Sequence, residues 1–297
     1  MEVKNLIKLY KILGKENIKI DEDMREHTSF RIGGRAKIMF FPKTQKMLEK
    51  TLKFLAKKKI DYVVLSNGTN VLITKDQDVV LNLTKLDKIC VMDEKVMCDC
   101  GVSLFKLNKF LCDHSLSGLE LTYGIPGSVG GGVVQNCGAY GLNLSDKIEC
   151  VWFFNGEKIV KRKRDELAFA YRTSEFKNHP NFVVTKVSFC LEKGNKIEIE
   201  TKMNEILSLR KEKQPYEYPS AGSVFKRSDG VIVSKLIDEL NLKGFRIGGA
   251  MVSTKHAGFI VNYDNATSDD VLMLIEYVKN RVKTKKNIDL ETEIVIL

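Results

Sequence analysis

The densest chemical signal in this chain is residues 124–141, GIPGSVGGGVVQNCGAYG, which hold seven of its 21 glycines. Glycine has no Cβ, so its backbone can turn left-handed and approach another group closely. Amide N–H groups leading into a helix start make a cradle for phosphate, and the helix dipole adds to it. Pro126 stiffens the approach to that start, and Gly130-Gly131-Gly132 let main chain press against a flat ligand. A mobile linker is the alternative. The interleaved Ile125, Val129, Val133 and Val134 argue against it, because flexible linkers are Gly/Ser-rich and apolar-poor. The stretch is expected to be a buried, ordered loop that holds a pyrophosphate. It is not the GxGxxG dinucleotide fingerprint. A second candidate is Asn67-Gly68-Thr69-Asn70, a sharp polar turn between apolar runs. Its amides can hold a phosphate, or it is an ordinary Asx turn.

Several further side chains have types suited to catalysis or binding. Arg172 offers a planar fork of donors for a carboxylate, although most arginines end as surface ion partners. Ser223 lies between Gly222 and Val224, and by itself it reads as a cap or turn former. No GxSxG surrounds it, so a hydrolase nucleophile is not indicated. Glu291 and Glu293 fall on one face of an extended segment, which by itself reads as a solvated strand edge. Arg210 and Lys213 close a helical pattern and read as exposed helix-end cations. His256 reads as structural, neither acid nor base.

The chain around these residues has 297 residues, 43% hydrophobic and 29% charged, the make-up of a globular protein with two domains. No apolar run reaches membrane-spanning length, and the first turns mix in charge, so neither membrane nor signal peptide is expected and the location is expected to be cytoplasmic. The net charge of +10 comes from scattered lysines; with no nucleic-acid-binding motif, nucleic acid is not an expected partner. The seven cysteines include no CxxC and have no zinc spacing, so free thiols and no metal are expected.

The apolar spacing places helices over 3–13, 44–58, 103–116, 197–211, 231–240 and 268–285. Strands are expected over 29–41 with a break at Gly33-Gly34, over 62–65, and over 71–73 and 79–83 as continuations of one sheet. Others are expected over 89–92 with 96–100, over 150–154 with 158–161 around the Asn155-Gly156 turn, and over 182–191, 244–262 and 294–297. Residues 165–171 read as a helical turn. Helices and strands mix without βαβ alternation, which argues for α+β. A domain boundary is expected near Gly194.

Six segments in the same order carry a family resemblance: HTSFRIGG (27–34), LSNGTNVLI (65–73), the glycine stretch, YRTSEF (171–176), PSAGSVFKR (219–227) and GFRIGGAMVSTKHAGFIVN (244–262). The chain resembles the UDP-N-acetylenolpyruvoylglucosamine reductases of peptidoglycan precursor synthesis, in their shorter type without the extra insertion. The resemblance implies an α+β fold. An FAD-binding domain of the vanillyl-alcohol-oxidase type would cover 1–194, in lobes of about 1–85 and 86–194, and a substrate-binding α+β domain would cover 195–297.

The resemblance also implies FAD and NADPH as cofactors, a UDP-sugar as the substrate, and a monomer. Catalytic roles fall on Arg172, on Ser223 as a proton donor whose alkoxide needs cations such as Lys226 and Arg227, and on Glu293, chosen over Glu291 because it directly precedes Ile294. Cofactor contacts fall on Asn67, Gly68, Thr69, Asn70, Leu72, Gly124, Ile125, Pro126, Gly127, Ser128, Gly130, Gly131, Asn136 and Gly138. Substrate contacts fall on Tyr140, Arg210, Lys213, Arg227 and Arg246. One departure stands out: Val295 occupies a position where many relatives carry Arg. The residues themselves leave two rivals, a flavin oxidoreductase with another substrate and a basic nucleic-acid binder.

Overall fold

The computed structural model describes residues 2–227 and 231–297. The chain folds as two compact units that interleave in sequence. The first comprises Met1–Glu22, Lys37–Asn67 and Gln77–Ser208; the second comprises Asp23–Ala36, Gly68–Asp76 and Leu209–Leu297. The units therefore break elsewhere than at Gly194. Two early segments belong with the C-terminal residues, because Phe30, Ile32 and Leu72 are buried in the second unit's core. A local composition change cannot reveal that kind of membership.

In the first unit, the helix Val3–Leu13 buries Leu9 and Leu13 and stops at Gly14, whose φ of 81° suits a residue without Cβ. Thr44 caps the helix Gln45–Lys58 by accepting the Met47 N–H. One sheet runs in the order Ile18–Asp23, Arg35–Phe40, Gln77–Asn82, Val63–Leu65. A second, antiparallel sheet runs Ile159–Lys163, Ile148–Phe154, Val183–Cys190, Lys95–Asp99, Ile89–Met92. A single apolar cluster from Leu9 to Leu191 serves both sheets, so the two expected lobes share one core. Each fully buried Phe or Leu in it, such as Phe40, Leu52, Phe153 and Phe189, contributes on the order of 1.5–3 kcal/mol.

The second unit is built on a four-stranded sheet in the order Ser220–Ser223, Phe259–Asn262, Ala250–Val252, Arg246–Ile247. The helix Ser268–Lys286 buries Val271, Leu274, Ile275, Val278 and Val282, the spacing of one helical face. Thr267 and Asp270 close its start in a reciprocal capping box.

Several local expectations change. The strand expected over 29–41 exists only as Arg35–Phe40. A Cβ at Gly33 would lie 2.9 Å from Met24 Cβ and one at Gly34 2.4 Å from Asp76 Oδ1, so the two glycines allow an irregular close approach there. Val71–Leu72 does not continue the neighbouring sheet; it pairs in parallel with Val295–Ile296. Residues 165–171 hold only a 3₁₀ turn, Arg164–Glu166, and Phe169–Ala170 then pairs with Thr173–Ser174 in a tight hairpin. The helices at 103–116 and 231–240 shorten to Leu104–Asp113 and Val233–Glu239.

Among the described residues no helix is long and apolar enough to cross a membrane, and no group of three or more His, Cys, Asp or Glu is arranged to hold a metal ion. Burial pushes the Cys98 and Cys100 thiols up, which keeps them as apolar packing groups rather than thiolates.

Candidate active site

In the first unit the glycine stretch forms a loop and the helix Val129–Gln135, capped by Ser128, whose Oγ accepts the Gly131 N–H at 3.2 Å. The helix-start amides are not the cradle that the glycine run suggests. Val129 N donates to Val102 O, Gly130 N to Cys100 O and Gly132 N to Ser128 O, each at 2.8 Å. Among the described residues it is the Gly127 and Ser128 amides, just before the helix, that donate to no protein group. Two N–H groups at the positive end of this turn can hold phosphate oxygen.

The three consecutive glycines do different jobs. A Cβ at Gly130 would lie 2.8 Å from Cys100 Cβ, and one at Gly132 would lie 2.9 Å from Cys137 Sγ and from a Leu144 methyl. Packing alone therefore accounts for these two. Gly131 is exposed, and a Cβ there would meet only Ser128 Oγ, at 3.3 Å. The fold does not require glycine at 131, and a helical glycine costs about 1 kcal/mol relative to alanine. The open space over it fits a flat group lying against the main chain. On these observations the loop fits FAD.

Arg172 sits at the tip of the hairpin 169–174 with φ of 54°, a left-handed conformation that non-glycine residues seldom adopt. Its Nη2 donates to Gly138 O at 2.8 Å and its Nη1 to Asn136 O at 3.4 Å. Asn136 returns the connection, donating from Nδ2 to Ala170 O at 2.9 Å, and Ser174 Oγ donates to Val134 O at 2.7 Å. The hairpin is thus stitched along the end of the glycine helix. Tyr140 is exposed, again left-handed at φ 54°, and Ile125 is half-buried beside the exposed Pro126.

In the second unit, Ser223 ends a strand that carries a bulge: Ser220 pairs with Val261 but Ser223 with Phe259. Four residues of one strand, 220–223, span three of the other, 259–261, and Gly222 absorbs the difference at φ 79°. Such a bulge re-aims the side chain that follows it. Glu293 lies beside this strand, since its N–H donates to Val224 O at 2.7 Å. Asn70 is the next neighbour: its Nδ2 donates to Glu293 O at 3.3 Å, and its carbonyl accepts the Val295 N–H at 2.9 Å. Ser223, Glu293 and the Gly68–Asn70 turn are therefore brought together, while Asn67 belongs to the first unit. Gly68 cannot carry a side chain, because a Cβ would lie 2.1 Å from His27 O. Leu72 is fully buried and supports the turn.

Glu291 and Glu293 differ in their surroundings. Glu291 is exposed and its carboxylate pairs with Lys226 Nζ at 2.8 Å, whereas Glu293 is half-buried next to Ser223's strand. The same pair engages Lys226, which was expected to support a Ser223 alkoxide. Arg210 departs from the exposed cation expected. It is buried, because it continues the buried Ile199, Met203 and Ile206 stripe of the helix Lys196–Lys213. Lys213, Arg227 and Arg246 are exposed.

The sequence reading missed Ser29, whose N–H donates to Gly68 O at 3.0 Å and whose Oγ donates to Ser220 O at 2.6 Å. It ties the polar turn to the Ser223 strand, and nothing local in HTSF signals partners so distant in sequence. His256 is structural in a specific sense. Its Nδ1 accepts the Gly258 N–H at 3.1 Å, and Gly258 O accepts the Val224 N–H at 2.9 Å, directly after Ser223. Burial holds its imidazole below the usual range, so it stays neutral and can accept.

Comparison with known proteins identifies relatives of the chain. Residues 36–151 match the FAD binding domain family, and residues 214–297 match the family described as UDP-N-acetylenolpyruvoylglucosamine reductase, C-terminal domain. The UDP-N-acetylenolpyruvoylglucosamine reductase of Thermosipho melanesiensis is 44% identical over 94% of this chain and 96% of its own. That of Clostridium kluyveri is 43% identical over 98% and 96%. The crystal structure of the Thermus caldophilus enzyme, 32% identical, superposes with a TM-score of 0.78 over 94% of this chain and 97% of that one. Alkyldihydroxyacetonephosphate synthase, at 13% identity and TM-score 0.51 over 65% of this chain and 41% of that one, shares the fold alone. The chain belongs to the UDP-N-acetylenolpyruvoylglucosamine reductase family.

Proposed function

We propose that this protein is an FAD-dependent oxidoreductase that reduces UDP-N-acetylglucosamine enolpyruvate to UDP-N-acetylmuramate with NADPH, for peptidoglycan precursor synthesis. The observation that carries the reading is a similarity of 44% identity over 94% of the chain, reaching across residues of both compact units. Bound FAD supplies the hydride, taken from NADPH and delivered to the vinyl carbon of the enolpyruvyl group.

The rest of the chemistry falls to the chain. Gly124, Ile125, Pro126, Gly127, Ser128, Gly130, Gly131, Asn136 and Gly138, with Asn67, Gly68, Thr69, Asn70 and Leu72, would hold the cofactor, and the Gly127 and Ser128 amides would face its pyrophosphate. Arg172, fixed by the Gly138 carbonyl, is suited to hold the enolpyruvyl carboxylate and to offset the charge that develops on it. Ser223 Oγ would give its proton to the carbon next to the one that accepts hydride, with Glu293 beside its strand as the third member. Tyr140, Arg210, Lys213, Arg227 and Arg246 would bind the UDP-sugar. We assign the FAD-binding domain to 1–194 and the substrate-binding domain to 195–297 as functional regions, and a monomer as the working state.

The test is anaerobic and spectroscopic. The purified protein is expected to be yellow, to bleach with NADPH, and to regain colour with the enolpyruvyl sugar. Bleaching that other acceptors reverse but this sugar does not would overturn the substrate; a colourless protein that no added FAD restores would overturn the cofactor.

A further inference from the structure

Arg246 stands on the edge strand of the second unit's sheet, and its surroundings are unusual for an exposed arginine. Its guanidinium carbon lies 3.7 Å from the centroid of the Tyr263 ring, and its Nε donates to Met251 Sδ at 3.3 Å. Among the described residues it has no carboxylate partner. An aromatic face and a thioether hold a cation in place without neutralising it. A carboxylate partner would have spent the charge. The arrangement is that of a guanidinium oriented in advance for an anion arriving from solution.

The sheet register explains how Tyr263 reaches it. Arg246 pairs with Met251, Met251 with Val261, and Val261 with Ser220, so the four form one row across the strands. Tyr263 follows Val261 by two residues, and its ring packs against Tyr218 at 5.3 Å between centroids. Asn262 N donates to Pro219 O at 2.9 Å, which fixes this end of the strand beside the segment leading to Ser223. Arg246 is thus held on the sheet that carries Ser223.

We propose that Tyr263 is a positioning residue that holds the Arg246 guanidinium for the diphosphate of the nucleotide sugar. This rests on the reading of the chain as a UDP-sugar reductase. The diphosphate is the fitting anion because an arginine fork grips two phosphate oxygens at once.

The experiment compares Y263F, Y263L, R246A and the double variant Y263L/R246A. It measures KM for the enolpyruvyl sugar, kcat, and the calorimetric Kd for UDP at two salt concentrations. Y263F keeps the ring and is expected to match the wild type. Y263L is expected to raise KM and the UDP Kd about 3- to 10-fold with kcat little changed. R246A is expected to raise both about 10-fold or more and to flatten their salt dependence. The double variant is expected to be no worse than R246A, because the two residues act as one unit.

Melting temperatures of all four variants separate unfolding from misplacement. Y263L binding UDP like the wild type while R246A binds it weakly would overturn the positioning role and leave the reading intact. R246A binding like the wild type would overturn the role and this arginine's assignment. Wild-type protein that binds no UDP would overturn the reading and the inference together.

Discussion

The Nη2 of Arg172 donates to the carbonyl oxygen of Gly138 at 2.8 Å, which fixes a candidate catalytic cation to the end of the glycine stretch. The bond links the proposed cofactor cradle to the proposed carboxylate clamp. Lysine has a single ammonium and no planar fork, so it cannot span the Asn136 and Gly138 carbonyls and still present a bidentate face. Arg172→Lys is expected to leave flavin content and NADPH bleaching near wild type while lowering turnover of the enolpyruvyl sugar about 10²- to 10³-fold. Stopped-flow measurement of the two half-reactions checks this, and equal loss in both would refute it.

Ser223 follows the bulge at Gly222, and its neighbour Val224 is bonded on both sides, to Gly258 and to Glu293. Its place is set by backbone, so Ser223→Ala should fold normally. Flavin reduction by NADPH is expected to survive, and reoxidation by the sugar to fall about 10²-fold or more for loss of a general acid. A variant that loses both steps together would contradict the proton-donor role.

Gly130 and Gly131 make opposite predictions although they are adjacent. At Gly130 a Cβ would lie 2.8 Å from Cys100 Cβ and 3.0 Å from its carbonyl oxygen. Gly130→Ala is therefore expected to cost about 1–3 kcal/mol of stability, read as a lowered melting temperature of the apoprotein. Gly131 faces open space, so Gly131→Val should leave the apoprotein folded yet unable to retain flavin. A yellow, active Gly131→Val protein would remove this loop from the cofactor site.

The imidazole of His256 gives a pH signature. Burial depresses its pKa in the folded state below the unfolded value of 6.5. Its contribution is therefore fully present above pH 6.5 and is lost as pH falls through the folded value. Protonation would also end the bond from the Gly258 N–H, which lies one step from the Ser223 strand. Thermal unfolding from pH 8 down to pH 5 is expected to show a loss of stability that His256→Gln lacks; parallel curves would place the titration elsewhere.

Local chemistry made much of this protein legible before any coordinates. The 3.6-residue spacing in 3–13, 44–58 and 268–285 marks helices, because that signal acts within one or two turns. Asn155-Gly156 marks its hairpin for the same reason, and the glycine run marks main chain that something approaches closely. The six ordered segments marked the family.

Tertiary structure alone decided the rest. Val71–Leu72 pairs with Val295–Ile296, and Ser29 reaches Ser220, across separations that no local pattern records. Arg210 is buried because of the stripe it completes, and Gly131 differs from Gly130 only in what lies opposite each Cα. Sequence fixes short-range conformational preference, whereas partners remote along the chain are chosen by the packing of each core, which exists only once the chain has folded.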